Sequence, residues 1–294
     1  TSFIALDSTP VMANTSQNNP KSFKKDKFKP ENQPKSDKDC GLGVHTASNQ
    51  HNEKNFEFYW GYKNHMLVDC ITGLPIFELT TTADVSDSTV ALNILSQTNS
   101  FLPINECTFI ADKAYDVKEI YNTVKNAYNG DCAIPLNKRN TKNPKKLPSG
   151  HPICEAGLAM NKDGKISEDG KTRQKYCCPF RQSKTSACPC NHKNWNNGKK
   201  NKGCTKYITI PDDYSDCISF KKIYALRTEA ERYNSRFKQT GQERLWVHSM
   251  NAAKNLNTIA HIALLAVAYA AFITKSKRSL RSLKSAKRIF IHRL

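Results

Sequence analysis

Short apolar runs separated by polar turns fill the first third of the chain, and their alternation predicts β-strands. Residues 3–6 form a compact apolar run that ends in the polar stretch Asp7 to Pro10, which is typical of a buried strand that opens into a loop. Residues 56–68 and 74–81 are rich in aromatic and β-branched side chains and flank a Thr72-Gly73 turn, which predicts an antiparallel hairpin. The pattern therefore predicts three strands before the first helix.

Helical spacing then alternates with single buried strands. Residues 88–96 carry apolar side chains at helical intervals, 107–111 form a buried strand that ends in Asp112, 116–128 form an amphipathic helix and 132–135 form a fifth strand. Crossover helices require parallel pairing, whereas the hairpin requires antiparallel pairing. We therefore predict an α/β protein with a mixed five-stranded sheet, in the element order of the ribonuclease H-like fold.

Two long polar segments interrupt this pattern. Residues 20–55 are mostly Lys, Asn, Ser, Asp and Pro, so we expect a mobile loop that cannot bury enough surface to order itself. Residues 138–216 are rich in Lys, Asn, Gly and Cys, which predicts a large Cys-rich insertion before the last helices. The predicted organisation is the first part of the core at 1–137, the insertion at 138–216, the C-terminal helices of the core at 217–274 and a basic tail at 275–294.

The charge balance indicates an anionic partner. The 294 residues include 45 Lys and Arg but only 26 Asp and Glu, which gives a formal charge of +19. Such an excess favours binding to a polyanion over binding to a small neutral substrate. A hydrophobic fraction of 38% excludes a fully disordered chain.

Cysteine usage and the longest apolar run bear on the compartment. Eleven cysteines without an export signal ahead of them favour reduced thiols over a disulfide framework. The apolar run at 259–273 contains His261 and is shorter than the ~20 residues that span a bilayer. We therefore predict a buried core helix, no membrane partner and a cytoplasmic, nucleoid-associated location. Because the chain opens on a strand-like run, we also expect that it starts inside a longer protein.

Two acidic residues come directly after predicted strands. In the predicted fold the first and fourth strands lie side by side, so Asp7 and Asp112 would meet at one edge of the sheet. Adjacent carboxylates with open water positions suit Mg2+ or Mn2+. The alternative is that Asp7 begins a turn and Asp112 caps the following segment, as acids commonly do.

The predicted helix from 220 to 238 carries two stripes of side chains. An apolar stripe with spacings of three and four faces the core and comprises Ile223, Leu226, Ala230, Tyr233 and Phe237. A second stripe within a narrow arc of the same helix comprises Tyr224, Arg227, Glu231 and Lys238. The alternative is a solvated face with a weak Arg227 to Glu231 ion pair.

These residues resemble those of the DDE transposases of bacterial insertion sequences, in the group with a Tyr-x2-Arg-x3-Glu-x6-Lys signature. The second stripe matches that signature at every position. Further similarity lies in Ile4 to Thr9 around the first acid, in Tyr59 to His65, Val68-Asp69 and Thr72 to Pro75 in the hairpin, and in Phe109 to Asp116 around the second acid. The resemblance runs from Phe3 to about Phe272, apart from the two polar segments.

The resemblance implies a DNA transposase that cleaves transposon ends and transfers the 3'-hydroxyl into target DNA. Asp7, Asp112 and Glu231 would hold two Mg2+ or Mn2+ ions, one activating the attacking oxygen and the other stabilising the leaving oxygen. Better-known members of the group excise their element through a DNA hairpin, and two subunits normally assemble on two ends. We therefore expect double-stranded DNA and a second copy of the chain as partners, with specific end recognition in a domain that precedes this one.

The resemblance also implies a set of DNA contacts. Tyr224, Arg227 and Lys238 would contact the DNA at the transposon end, where Arg suits bidentate phosphate binding and Lys acts as a point charge. Base flipping needs an aromatic platform, and Trp195 in the insertion is a candidate for it. The basic tail, with Leu280 and Phe290 between its charges, predicts a basic helix that binds DNA or lies on an anionic membrane, or else a frayed, solvated end. Because no other membrane signal is present, we favour binding to nucleic acid.

The cysteine cluster has no standard finger spacing. A structural Zn2+ would order an insertion that is too polar to fold alone, and the alternative is unligated cytoplasmic thiols. The candidate zinc ligands are Cys154, Cys177, Cys178, Cys188, Cys190, His192 and Cys204.

Two other functions use the same sequence features. A non-catalytic DNA-binding protein derived from a transposase would keep the charge and the fold, but the intact acids Asp7, Asp112 and Glu231 argue against it. A divalent-metal DNA nuclease without strand transfer would use the same acids, and it differs only in whether a 3'-hydroxyl acts as the nucleophile.

Overall fold

A computed structural model describes residues 2–48, 54–135, 137, 146–149, 151–154, 156–168, 171–182, 205–209, 218–276 and 280–281. The chain divides into two compact units. The first comprises Thr1–Ile134 and Ile223–Leu294, and the second comprises Pro135–Lys222.

A mixed sheet forms the centre of the first unit. Its strands are β1 (Phe3–Met12), β2 (Gly41–Ser48), β3 (Lys54–Asp69), β4 (Leu74–Thr82), β5 (Thr108–Ile110) and β6 (Asp131–Ala133). The strand β1 is antiparallel to β3 and parallel to β5, which is in turn parallel to β6, while β2 and β4 both pair with β3. The predicted mixed α/β architecture is confirmed, although the described sheet has six strands and not five, because β2 was not predicted.

Helices cover both faces of this sheet. The helices are α1 (Asp87–Phe101), α2 (Lys118–Tyr128), α3 (Ile218–Ala225), α4 (Thr228–Phe237) and α5 (Met250–Ile273). Apolar side chains of α1 and α2 pack into one core with Ile4 and Leu6 of β1 and Phe109 of β5. Because side chains alternate along a strand, Ala5 and Asp7 lie on the other face, where α4 contacts β1 and β3.

The first strand is longer than its apolar run. We predicted that it ends before Asp7, but β1 continues to Met12, so Asp7 lies within the strand and does not begin a turn. The reason is that β3 keeps pairing with β1 as far as the Met12 to Gly61 register, which satisfies the backbone of the polar residues. Pairing to β5 ends earlier, at Ala5.

Within the predicted loop at 20–55, the structure describes residues 20–48, and Gly41–Ser48 of these form the strand β2. The segment's polar groups are satisfied by buried residues of β3: the indole Nε1 of Trp60 donates to the carbonyl oxygen of Lys27 (2.8 Å), and the Tyr62 hydroxyl lies 2.8 and 2.9 Å from the two carboxylate oxygens of Asp37. The amide of Asn18 also bonds the backbone of Trp60. These hydrogen bonds replace the apolar burial that the segment lacks.

The predicted continuous helix from 220 to 238 is broken at residues 226–227. Between α3 and α4 the backbone tightens to i→i+3 hydrogen bonds, with Arg227 N donating to Tyr224 O and Ala230 N donating to Arg227 O. Residues before the break are therefore displaced from the regular 100° spacing of the helix. After α4 comes a π-turn (Lys238–Gln242) that contains Gly241, whose φ of 94° favours glycine.

The last described helix, α5, is buried on one face only. Its buried stripe, which includes Ala253, Asn257, His261 and Leu264, packs toward β4, β3 and α4. Ile262, Tyr269 and Phe272 on the other side are exposed, so the prediction of a buried core helix holds for one face. Of the described helices, α5 is long and apolar enough to cross a membrane, and 33% of its most apolar window is buried.

The second unit contains a small antiparallel sheet. Its strands β7 (Asn161–Glu168), β8 (Lys171–Cys177) and β9 (Thr205–Thr209) pair in that order. Cys154, Met160 and Tyr176 form its small buried core.

Candidate active site

The β1–β5 register brings Asp7 of β1 to the same level as Asp112, which lies two residues beyond the end of β5. Ile4 pairs with Phe109 and Ala5 pairs with Ile110. Continuing this parallel register by two residues on each strand places Asp7 beside Asp112 on the same face. The two are close enough for the charge of Asp112 to raise the pKa of Asp7.

Helix α4 adds three polar side chains to this pair of acids. The Arg227 guanidinium lies 3.8 Å from Oδ2 of Asp7 and is also paired with Glu231. The Asn234 side chain donates from Nδ2 to Oδ2 of Asp7 at 2.9 Å. Asp7, Asp112, Arg227, Glu231 and Asn234 are called the acidic cluster below.

Burial perturbs the acid at the centre of the cluster. The pKa of Asp7 is raised to about 6, mainly by burial. Arg227 and a backbone hydrogen bond at Ser8 oppose this shift, and the nearby charges of Asp112 and Glu231 contribute to it. A carboxyl group near neutral pH in a multi-acid cluster is typical of functional sites. Asp7 is 19% exposed and Glu231 is 51% exposed, so the cluster opens to solvent on the Glu231 side.

Asp112 has two roles at once. Its Oδ1 accepts from the Ala114 backbone N–H at 2.7 Å and so caps the 3-10 turn Lys113–Tyr115. Capping was the structural alternative in the sequence prediction, and it is present. The same carboxylate still faces Asp7 and Arg227 closely enough to shift the pKa values of both, so capping does not remove it from the cluster.

Tyr224 and Arg227 form a pair at the edge of the cluster. The guanidinium carbon of Arg227 lies 5.8 Å from the centre of the Tyr224 ring, within the range of a cation–π contact. Burial lowers the pKa of Arg227, but Tyr224, Asp7, Glu231 and Asp112 together outweigh it and raise the pKa overall. Lys238 lies apart from this pair, at the start of the π-turn, where its Nζ is 3.4 Å from Oε1 of Glu243.

The donor chemistry of the cluster fits a divalent cation. Carboxylate and amide oxygens are the hard ligands that Mg2+ and Mn2+ prefer. Oδ1 of Asn234 is buried and has no hydrogen-bond partner, so one such oxygen lies unused on the amide that touches Asp7. Among the described residues, no three His, Cys, Asp or Glu side chains are close enough to hold a metal ion. The positive charge in the cluster belongs to Arg227.

Sequence reasoning missed Asn234, although its position was readable. The spacing of three and four that links Tyr224, Arg227 and Glu231 continues to Asn234 and then to Lys238, so Asn234 lies on the same arc of the helix. Its amide is uncharged, whereas the predicted stripe was defined by a phenol and three charged groups.

A second polar group, on the opposite side of α4, fixes this helix to the sheet. The Tyr233 hydroxyl is 2.6 Å from Nδ1 of His261, and Nε2 of His261 is 2.9 Å from Oδ1 of Asn64. Nδ2 of Asn64 donates to Glu78 (2.7 Å) and Thr80 (3.1 Å). We call Tyr233, His261, Asn64 and Thr80 the neutral network, because burial lowers the pKa of the histidine to about 4 and the other three side chains are uncharged.

The predicted zinc ligands are only partly within the described residues. Cys154, Cys177 and Cys178 are buried, and Sγ of Cys154 accepts from Leu158 N at 3.3 Å. The other predicted ligands, Cys188, Cys190, His192 and Cys204, and the predicted base platform Trp195 lie outside the described residues. The zinc prediction therefore gains no support from the described part of the chain.

Comparison with known proteins gives two findings. A family profile described as the transposase DDE domain matches residues 1–266. A solved structure titled as a piggyBac transposase synaptic complex with hairpin DNA aligns with 98% of this chain and 54% of its own length, at 11% sequence identity and a TM-score of 0.40, so the chain spans about half of that protein. No curated protein matches.

Proposed function

Because this chain belongs to the transposase DDE domain family, we propose that it carries the catalytic centre of a DNA transposase with a ribonuclease H-like fold. The family performs phosphoryl transfer on nucleic acid. The finer proposal is metal-dependent cleavage of transposon ends and transfer of the 3'-hydroxyl into target DNA, in the cytoplasm where the nucleoid lies.

One observation carries the proposal. Asp7 and Asp112 meet beyond a parallel strand pair, and Glu231 on α4 shares Arg227 with them, because all three carboxylates act to raise the pKa of that guanidinium. If the polar face of α4 were merely solvated, there would be no reason for the largely buried Asp7 carboxylate to lie against it. Burying a carboxylate costs free energy, so its presence there favours a functional site.

The three acids would hold Mg2+ or Mn2+, with Asn234 positioning Asp7. Bound there, two divalent ions would activate the attacking water or 3'-hydroxyl and stabilise the leaving oxygen. Because the pKa of Asp7 is raised to about 6, protons increasingly compete with a metal ion for this carboxylate as the pH falls below about 6.

Arg227 has two alternative partners in this proposal. It now neutralises Asp7 and Glu231, and its guanidinium is also suited to a bidentate contact with a DNA phosphate. Transfer of Arg227 from the acids to phosphate would free both carboxylates for the metal. Tyr224 would support that contact, and Lys238 and Trp195 are the further proposed DNA contacts.

Mn2+ binding by electron paramagnetic resonance tests the site without knowledge of the end sequence. Parent, Asp112→Asn and the control Glu119→Gln, an exposed acid on α2, are compared with and without duplex DNA. We expect Asp112→Asn to weaken Mn2+ binding at least tenfold, while the control binds as the parent does. Equal binding by all three proteins would reject the acidic cluster as the metal site.

Strand transfer is tested separately with a pre-cut DNA end. Joining of that end to a plasmid supports the transposase, whereas metal-dependent hydrolysis without joining would assign a nuclease. Dimer formation on DNA, hairpin excision and a structural Zn2+ also remain proposals. Metal analysis of the purified protein that finds no zinc would reject the last of these.

A further inference from the structure

We propose that the lysine-rich segment after β1 is a second docking surface for duplex DNA. This inference rests on the proposed function, because it extends the path of the DNA beyond the acidic cluster. The surface is a cavity of about 540 Å³ whose lining includes Lys24, Lys25, Lys27 and Lys35. These four residues are called the lysine basin.

Three lysines of the basin have no partner for their positive charge among the described residues. Lys24, Lys25 and Lys35 are exposed and have no hydrogen bond or ion pair within the described part of the chain. Lys27 differs, because its Nζ donates to the carbonyl oxygen of Asn19 at 3.1 Å and its chain lies over Phe28. Exposed ammonium groups without partners are available to contact an anion.

The acids of the same segment do not neutralise the basin. Residues 21–38 contain seven lysines and three acids. Asp26 pairs with Lys29 at 3.2 Å, and Asp37 is buried beneath the Tyr62 hydroxyl. Only Glu31 lines the cavity, so the basin keeps an excess of positive charge.

The basin is held rigidly with respect to β1. Its backbone is tied to β3 by the hydrogen bond from Trp60 to Lys27, and Gln17 donates to the Asn32 carbonyl oxygen on its rim. A fixed array of lysines loses less entropy on binding than the same residues on a mobile tail. These hydrogen bonds therefore present the lysines from a backbone that is tied to the sheet.

The chain after α4 returns to the end of β1, shortly before the lining of the basin begins at Thr15. After Lys238 and the π-turn, Glu243 and Leu245 bond to the backbone of Met12 at the end of β1. Arg244 then reaches the carbonyl oxygen of Asn18 at 3.4 Å. Lys238 thus lies in sequence between the acidic cluster and the segment that borders the basin.

Duplex DNA is the ligand that matches this distribution of charge. DNA carries phosphates continuously along its axis at ~3.4 Å per base pair on each strand, so a single duplex can offer a separate phosphate to each lysine of the basin. A small phosphate would fill a single position and would not need charges distributed over a cavity of this size.

The salt dependence of DNA affinity tests the basin. The variant Lys24→Gln/Lys25→Gln/Lys35→Gln removes three charges from it, and the control Lys118→Gln/Lys125→Gln/Lys254→Gln removes three from α2 and α5. Binding to a 30-base-pair duplex is followed by fluorescence anisotropy from 50 to 300 mM KCl. Each lost phosphate contact lowers the slope of log K against log salt by ~0.9, so we expect a reduction of about 2 to 3 for the basin variant and less than 1 for the control.

An equal change in both variants, or none in the basin variant, would overturn the proposal. Thermal unfolding of both variants should match the parent, since all six lysines are exposed. Mn2+ binding in the basin variant should stay within twofold of the parent. If the parent binds no Mn2+ but the slopes differ as expected, the proposed catalysis fails and the basin stands; intact Mn2+ binding with equal slopes gives the reverse result.

Discussion

Two polar clusters hold α4 to the sheet from opposite sides, and they are built on different principles. The acidic cluster joins α4 to β1 through charged groups, with Asp7 partly desolvated and near neutral pKa. The neutral network joins α4 to α5 and β3 through a chain of uncharged donors and acceptors. The first is suited to exchanging partners, and the second to keeping the helix in one position.

The neutral network has a consistent direction of hydrogen bonding. Neutral His261 can accept from the Tyr233 hydroxyl at Nδ1 and donate from Nε2 to Oδ1 of Asn64. The ring also stacks on Phe237, with 4.7 Å between ring centres. A protonated His261 could not accept from Tyr233, so the network favours the neutral ring.

The two clusters therefore respond to pH with opposite sign. The folded pKa of Asp7 is raised to about 6 from 3.8, so its contribution to stability is lost as pH rises from about 4 to 6. The folded pKa of His261 is lowered to about 4 from 6.5, so its contribution is lost as pH falls from about 6.5 to 4. The acidic cluster is therefore more stable when Asp7 is protonated, and the neutral network is more stable when His261 is not.

The largest expected effect is a loss of DNA cleavage in a variant that still folds. Glu231→Gln should reduce metal-dependent DNA cleavage by about a thousandfold, because a metal ligand contributes several kcal/mol to the transition state. The free energy of unfolding should change by less than about 1 kcal/mol, because the Glu231 side chain is 51% exposed. Cleavage assays and urea unfolding check the two parts, and a variant that cleaves normally would remove Glu231 from the site.

Breaking the neutral network should lower the free energy of unfolding, and not only the activity. His261→Ala should lower the free energy of unfolding by about 3 kcal/mol at pH 7.5, because Tyr233 and Asn64 lose buried partners and the stack on Phe237 is lost. The deficit should shrink toward pH 4.5, where the parent also loses the contribution of its neutral histidine. Urea unfolding across pH measures it, and a deficit that is independent of pH would contradict the assignment of a neutral ring.

Much of this comparison was readable from the sequence, and the rest depends on distant contacts. Strand periodicity and element order were sufficient to bring Asp7 to Asp112. The neutral network was not visible, because His261 and Asn64 are 197 positions apart and each alone reads as an ordinary buried residue. The hydrogen-bonded structure of residues 20–48 and the true end of β1 were not predicted for the same reason, because the distant strand β3 supplies the hydrogen bonds of both.

Removing the charge of Asp7 should stabilise the protein. Asp7→Asn should raise the free energy of unfolding by about 2 kcal/mol at pH 7.5, because it removes the cost of ionising a buried carboxyl group while keeping an amide that can bond Asn234. The gain should vanish near pH 4, where the parent Asp7 is protonated. Urea unfolding at the two pH values measures it. The control Asp116→Asn should show no comparable gain, and a loss of stability at pH 7.5 would show that the attraction of Arg227 outweighs burial.

The smallest expected effect isolates one hydrogen bond of the neutral network. Tyr233→Phe removes the hydroxyl that lies 2.6 Å from Nδ1 of His261, and it should cost about 1 kcal/mol in urea unfolding. The ring keeps its stack on His261, with 5.6 Å between centres, so α4 should stay in place and Mn2+ binding should change less than tenfold. A much larger loss of Mn2+ affinity would mean that this hydroxyl fixes the rotation of α4, and that the two clusters are not independent.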